Sequence, residues 1–278
     1  MNLAGVVILY NPNENVIQNI LTYLAGVSVL YVLDNSEEPN EKVVGIIKRM
    51  TKVVYISFCC NMGVSYALNY ALRKCSDFDY LLTMDQDSKF PANEFVKYKK
   101  KIQKYQSRDI GIYTINYEKA DYQYLHIQTD DYLESAITSG AIINVRIAYA
   151  LGGFDDALFI DGVDTEYSYK VIKGGFKIFR FHDILMEHRI GAPKTRKFLF
   201  WDVYPSNHNA TRRYYITRNN IYLFRKFHQG KRLLISVLFK EPIKILLYED
   251  DKKKKIKAFW NGLCDGLTGK MGKCRWRL

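Results

Sequence analysis

The sequence predicts an α/β fold built on a covered parallel sheet, and three observations predict it. Four apolar runs of strand length (Leu3–Tyr10, Val27–Leu33, Val53–Phe58 and Tyr80–Met84) fall near the start of the chain. Stretches of helical spacing alternate with them, which is the pattern of parallel βαβ units. Each run ends in polar residues: Asn11, then Asp34-Asn35, then Asn61, then Asp85 and Asp87. Open parallel sheets bind ligands outside the carboxyl ends of their strands, so these residues are expected along one rim.

Leu3–Tyr10 is continuously apolar, as a strand buried on both faces should be. Asn11-Pro12-Asn13 turns the chain, and Val16, Ile20, Leu21 and Leu24 follow at helical spacing. Val27–Leu33 is the second strand, closed by Asp34-Asn35-Ser36, and Glu38–Met50 reads as a helix. After the third strand, Asn61-Met62-Gly63 opens a helix through Ala67, Leu68, Ala71 and Leu72. The fourth strand ends at Asp85-Gln86-Asp87-Ser88. Phe95–Tyr105 is then a basic, exposed helix and Ile110–Asn116 another strand. Tyr117–Glu134 is irregular and rich in Tyr, Asp and Gln, an edge hairpin or a loop. Ile137–Val145 reads as a strand with a close backbone approach at Gly140. Asp155, Asp156, Asp161, Asp164 and Glu166 place five carboxylates within twelve residues, with a helix starting near Asp161–Asp164.

A chain of 278 residues suits one large domain, or a domain with an appended subdomain. Net charge is +12, unevenly placed: residues 1–188 hold 19 Lys/Arg against 23 Asp/Glu, and residues 189–278 hold 22 against 6. That asymmetry suits an anionic partner surface, but no recognised nucleic-acid module accompanies it, so nucleic acid is not the expected partner. Five cysteines without a C-x-x-C define neither a zinc site nor a disulfide framework, as for reduced thiols in the cytoplasm. No signal peptide is expected, because the first apolar run is short and lacks a basic flank. No uninterrupted apolar run reaches the roughly 18–20 residues of a bilayer span. Neither G-x-G-x-x-G after the first strand nor G-x-x-x-x-G-K-[ST] occurs, so dinucleotide and P-loop readings lack support.

The chemistry concentrates at Asp85-Gln86-Asp87. Two carboxylates one residue apart at a strand end suit a hard divalent cation, which takes carboxylate and substrate phosphate oxygens. A solvated turn uses the same residue types. Asp164 and Glu166, two apart, cannot share a helix face, so at most one faces the rim.

Taken together, the pattern resembles the family-2 inverting glycosyltransferases, most closely their bacterial rhamnosyltransferase branch. The resemblance rests on Val6–Pro12, Asp34-Asn35-Ser36, Asn61-Met62-Gly63 with Ala67 and Asn69, and Thr83–Ser88. It continues through Ser139-Gly140, Gly152–Glu166, Gly174-Gly175, Glu187–Gly191, Arg213-Tyr214-Tyr215, Arg218-Asn219 and Gly262–Lys270. Almost the whole chain is covered in order. The resemblance implies a GT-A fold: a Rossmann-like mixed sheet flanked by helices over residues 1–205, then a basic amphipathic helical region over 206–278. Within the first, residues 1 to about 110 would hold the nucleotide sugar and about 111–205 the acceptor.

Residue by residue, the resemblance implies nucleotide-sugar contacts from Tyr10, Asn11, Asp34, Asn61, Gly63 and Asp85. Asp34 would meet the base, Asn61 and Gly63 would shape the pocket, and Asp85 would lie by the ribose and metal. Asp87 would ligate Mn²⁺ or Mg²⁺, with His188 completing the metal or diphosphate site. Asp164 would be the catalytic base, preceded here by Val163 rather than the family's usual Glu. The family's Q-x-x-R-W element is absent, and Arg213 and Arg218 are expected to take its place. The implied reaction moves L-rhamnose from dTDP-L-rhamnose to a hydroxyl of a cell-surface polysaccharide or lipid-linked glycan precursor. A UDP-hexose donor, or a non-catalytic nucleotide-sugar-binding partner in membrane assembly, are the alternatives.

In the tail, residues 207–227 read as an aromatic, basic helix, and Lys231–Tyr248 is strongly apolar with a break at Pro242. Ile256, Phe259, Trp260, Leu263 and Leu267 then recur at helical spacing beside Lys252–Lys255 and Lys257. An aromatic and aliphatic face opposite lysines marks an interfacial helix, and each lysine adds roughly 1 kcal/mol near anionic lipid. The expectation is a cytoplasmic protein held peripherally at the inner face of the cell membrane. Packing of the same stripe on the chain's own core is the alternative.

Overall fold

Leu3–Leu9 forms the first strand, β1, and it gains a parallel neighbour on each side. The order in this computed structural model is β1, α1 (Asn15–Leu24), β2 (Val29–Asp34), α2 (Glu41–Ile47), β3 (Val53–Ser57), α3 (Val64–Lys74) and β4 (Tyr80–Asp85). There follow β5 (Ser88–Lys89), α4 (Glu94–Lys104), β6 (Ile110–Glu118), β7 (Asp131–Tyr132), β8 (Ala141–Asn144), α5 (Val145–Ala150), α6 (Val163–Lys173) and β9 (Lys177–His188). A short hairpin, β10 (Arg196–Phe198) and β11 (Trp201–Val203), precedes α7 (Ala210–Phe227), α8 (Lys231–Ile235), α9 (Glu241–Tyr248) and α10 (Lys252–Thr268). The structure describes residues 1–118, 129–188, 196–198, 201–203 and 208–276. The chain divides into two units, Met1–Asp155 with Asp164–Arg189, and Asp156–Val163 with Ile190–Leu278.

The first unit is organised on a nine-stranded mixed sheet, ordered β3-β2-β1-β4-β8-β6-β9-β5 with β7 paired to β9. The four runs identified in the sequence form one continuous parallel block of it. β8 is antiparallel to β4 and β6, and β6 is parallel to β9. Helices cover the sheet through apolar stripes. Val16, Ile20, Tyr23 and Leu24 of α1 are buried, and so are Phe95, Tyr98 and Ile102 on the inner side of the basic helix α4.

One strand differs from expectation. Ile137–Val145 is not one strand: Ser139-Gly140 is a turn, and the chain leaves β8 directly into α5. Asn144 starts that helix by accepting from the Ile147 N–H at 3.2 Å, a side-chain cap that ends a strand made of apolar residues. The close approach at Gly140 is present, however. Its φ is +75°, and a Cβ there would meet Met186 Sδ at 2.8 Å. β9 runs for twelve residues, but its register against β6 jumps from Ile115↔Phe181 to Asn116↔Leu185. His182, Asp183 and Ile184 therefore bulge from the ladder.

In the second unit α10 packs along α7. Ala258, Gly262 and Gly266 recur every four residues on the packed face. A Cβ at Gly262 would meet Tyr214 O at 2.5 Å, and one at Gly266 would meet Arg218 O at 2.9 Å, so the two backbones lie too close for larger residues. Ala258 forms a core with Tyr214, Tyr215 and Phe159. The expected lipid-facing stripe on α10 is therefore split: Phe259 is buried, whereas Trp260 and Leu267 are exposed. Amphipathic spacing identified the helix, but small residues on its other side determined which face turned inward.

Candidate functional site

Parallel pairing brings the ends of β1, β2, β3 and β4 to one edge of the sheet. Leu9 pairs with Asp34, Asp34 with Ser57, and Ile8 with Asp85. Tyr10 and Asn11 thus leave β1 between the acidic ends of its two neighbours. Tyr10 is exposed, and Asn11 takes a left-handed φ of 47° while its N–H donates to Ser36 Oγ at 2.7 Å.

Asp34 is fully buried. Its Oδ1 accepts from Ser36 N–H and its Oδ2 from the Tyr55 hydroxyl, both at 2.8 Å. Burial, and then Asp34 itself, push the Tyr55 phenol far above its ordinary value, which keeps it a neutral donor. Direct contact between Asp34 and a nucleobase requires that hydroxyl to give way. Next to it, Asn35 clamps the loop before α3: it donates to Gly63 O at 3.2 Å and accepts from Met62 N–H at 3.1 Å. Asn61 closes the same loop by accepting from Gly63 N–H at 3.0 Å, and Gly63 sits at φ 90°. Both Asn61 and Gly63 therefore shape backbone at the rim, as a pocket wall would require.

The Asp85-Gln86-Asp87 turn is held from three sides. Gln86 Oε1 accepts from Tyr10 N–H at 3.0 Å and its Nε2 donates to Tyr10 O at 3.1 Å. Asn19 donates to Gln86 O at 2.8 Å. Ser139 Oγ accepts from Asp85 N–H at 3.2 Å and donates to Ser88 Oγ at 2.8 Å, with both serines buried. Asp85 is left half-buried and Asp87 exposed at the tip. Ser88 also pairs with His188 across β5 and β9, which brings the His188 backbone beside the turn; its side chain lies outside the described residues.

Asp164 stands in the first turn of α6, where its Oδ1 accepts from Thr165 N–H at 2.8 Å. One tyrosine links it to the strand-end acids. Tyr117, at the end of β6, donates to Ser139 O at 3.1 Å and lies 3.0 Å from Thr114 Oγ1. Its phenol is raised far above the ordinary value by burial, then by the negative charges of Asp85 and Asp164. Two carboxylates from different elements thus act electrostatically on one partly buried tyrosine. Glu166, two residues on, is fully buried and lies 3.6 Å from Lys170, so it belongs to the packing.

The arginines behave differently from expectation. Arg213 and Arg218 lie in the second unit and are buried. Arg213 pairs with Glu241 and Glu249, and Glu249 also takes Lys255 at 3.1 Å. Arg218 donates to Asn219 Oδ1 at 2.9 Å, Gly272 O at 2.6 Å and Leu158 O at 2.9 Å, and its guanidinium lies over the Tyr215 ring. Both guanidiniums serve as internal ties, which corrects the diphosphate role expected of them. Arg218→Ala is expected to destabilise the chain by about 3 kcal/mol or more, since each stranded buried acceptor costs about 1–3 kcal/mol. Urea unfolding tests this, and a variant that keeps full stability but loses nucleotide affinity would restore the ligand-binding role.

A second acidic cluster exists. Ligand-type atoms of Asp130, His182 and Asp183 lie within 4.8 Å of one another at the β9 bulge. Lys101 lies 3.8 Å from Asp130 and also pairs with Asp183, and Lys97 lies 3.5 Å from Asp183. Burial acts to raise the Asp183 carboxyl, but the lysines outweigh it and hold it below its ordinary value. A cation entering here would have to displace two ammonium groups, so the cluster reads as an ion-pair knot tying the bulge to α4.

Gln86, Ser139 and Tyr117 were not among the site residues expected from sequence. Gln86 had a signal, its position between the two acids. Tyr117 had none, because only the pairing of β6 within the sheet brings it to the rim.

No family model matches the chain. It is similar to the dTDP-rhamnosyl transferase RfbF of Shigella flexneri, at 26% identity over 292 residues, spanning 98% of this chain and 96% of that protein. In fold it is similar to residues 1–349 of S. aureus TarS in complex with UDP-GlcNAc, with a TM-score of 0.60 at 13% identity, covering 96% of this chain and 81% of that one. GalNAc-T7 with UDP, GalNAc and Mn²⁺ gives the same TM-score of 0.60 at 12% identity, covering 97% of this chain and 56% of that one. The structural likenesses carry the fold, and the sequence likeness runs almost end to end. The fold is therefore that of the GT-A glycosyltransferases, and the sequence is similar over nearly its whole length to a dTDP-rhamnosyl transferase.

Proposed function

We propose that this chain is an inverting, metal-dependent rhamnosyltransferase. It moves L-rhamnose from dTDP-L-rhamnose to a hydroxyl of a cell-surface polysaccharide or lipid-linked glycan precursor. The observation that carries the reading is the clamped Asp85-Gln86-Asp87 turn, with Asp164 and Asp85 in the same unit and both close enough to raise the Tyr117 phenol. The full-length likeness to a protein named for dTDP-rhamnosyl transfer supports the donor.

The donor set fits a hard divalent cation: two carboxylates on a turn whose backbone is already tied down, one of them exposed. Asp87, with Asp85 and His188, would hold Mn²⁺ or Mg²⁺, which would offset charge on a leaving diphosphate. Asp164 takes the proton of the acceptor hydroxyl as its oxygen attacks the anomeric carbon. The new carbon–oxygen bond forms as the bond to the β-phosphate breaks, dTDP departs, and one displacement inverts the centre. Tyr10, Asn11, Asn61 and Gly63 line the nucleotide side of the rim, with Asp34 behind Tyr55. Residues 1–205 form the transferase domain in this reading, and 206–278 an accessory region.

Turnover of a panel of nucleotide sugars, scored as free nucleoside diphosphate with Mn²⁺ or Mg²⁺, tests the proposal. Release from dTDP-L-rhamnose is the expected result, and release from UDP-hexoses alone overturns the donor assignment. The UDP-GlcNAc held by TarS makes that second outcome the specific alternative. Gln86→Ala should raise the donor KM several-fold while costing about 1 kcal/mol of stability, because it removes two partly solvated hydrogen bonds that orient Tyr10. An unchanged KM would make Gln86 a plain turn residue.

The basic excess after residue 188 supports an anionic membrane surface as a partner, at the inner face of the cell membrane. Among the described residues no helix is long and apolar enough to cross a membrane.

A further inference from the structure

From α8 through a π-helical turn (Ser236–Lys240) into α9, the second unit presents one apolar face to solvent. Ile235, Phe239, Ile243 and the pair Leu246 and Leu247 recur at spacings of four, four and three or four residues. They are 53, 64, 55, 54 and 52% exposed. The opposite side does the packing. Val237 and Ile245 are buried there, and Glu241 and Glu249 hold Arg213. Single exposed apolar residues are ordinary, but a continuous row of large ones marks an interaction surface. Lysines border the row: Lys231 and Lys240 are exposed along it, and Lys252–Lys254 are exposed just beyond it. Residues 231–257 carry 9 Lys/Arg against 4 Asp/Glu, with Glu241 and Glu249 already paired inside the unit.

We infer that this face, rather than the Phe259 side of α10, seats the chain on an anionic lipid bilayer. The inference deepens the membrane-surface reading above by assigning the residues that enter the interface. Charge selects the occupant. A second copy would bring another segment with a strong Lys/Arg excess against the first, whereas anionic headgroups complement it. The face is also a single helical run, which suits shallow insertion among acyl chains. Ile235, Phe239, Ile243, Leu246 and Leu247 enter the acyl boundary, and the flanking lysines meet the headgroups.

Flotation of the full chain tests this, using vesicles of phosphatidylglycerol and phosphatidylcholine in equal parts or of phosphatidylcholine alone. The parent should float with the anionic vesicles and much less with the neutral ones. Its binding should weaken in 1 M salt, where the Debye length is about 3 Å. Phe239→Ser with Ile243→Ser should cut anionic binding by about tenfold or more, and Leu246→Ser with Leu247→Ser should do the same from the next turn. Trp260→Ser, at an exposed position of α10, should bind like the parent. All of these replace exposed residues, so thermal unfolding should match the parent and nucleotide affinity should stay constant. Parent binding that both double variants retain overturns the face assignment and leaves the membrane reading standing. Parent chain that ignores anionic vesicles overturns both. A dimer in solution that either double variant dissociates assigns the face to a second copy and overturns the lipid proposal.

Discussion

Asp164→Asn is expected to lower sugar transfer by about 10²–10⁴-fold while leaving donor binding intact. The loss corresponds to roughly 3–5 kcal/mol of transition-state stabilisation. An amide keeps the carboxylate's shape, and its Oδ1 can still accept from Thr165 N–H in the first turn of α6. It cannot accept a proton from an attacking hydroxyl. The helix N-terminus loses one favourable negative charge, worth about 0.3–1 kcal/mol, so the fold should hold. Steady-state transfer and isothermal titration with nucleotide diphosphate separate the two effects. Transfer within about tenfold of the parent would remove Asp164 as the base. Asp161 would then be the next carboxylate to test, although it lies in the second unit and accepts from Arg212 Nε at 3.0 Å.

Asp87→Ala should abolish metal-dependent donor binding and lower transfer by about 10²–10³-fold, consistent with the several kcal/mol a bound cation supplies. Asp87 is exposed at the tip of a turn that Gln86, Asn19 and Ser139 already hold, so the alanine should change stability by only about 0.5 kcal/mol. Chelation provides the matching arm. EDTA should depress the parent to the level of the variant and do nothing further to the variant. A variant whose affinity for nucleotide diphosphate still rises with Mn²⁺ would show that Asp87 is only a turn residue.

The strand-end rim was legible because its signals are local. Apolar runs bounded by Asn11, Asp34, Asn61 and Asp85 carry both the strand and its end within a few residues, and parallel pairing then aligns those ends without further instruction. The α6 start was legible for the same reason, through acids clustered before a helix. Gln86 could be read as a spacer between two acids, but its bonds to Tyr10 span 76 residues and follow from the β1–β4 pairing.

By itself the sequence determined the alternation of strands and helices, the polar strand ends, the basic bias of the tail and the likeness to a family. Each of these depends on residue type and spacing along a few turns or strands. Tertiary structure alone decided that Tyr117 feels the charges of both Asp85 and Asp164, because β6 reaches the rim only through its place between β8 and β9. It also decided what the tail's charged and apolar residues do. Residue type does not say whether Arg213 and Arg218 meet solvent or the interior, and only the acceptors around them make them internal ties. Phe259 and Trp260 are neighbours in one amphipathic pattern. Gly262 and Gly266 let α10 approach α7 closely enough to bury the first and leave the second exposed, a choice made by fit between two backbones.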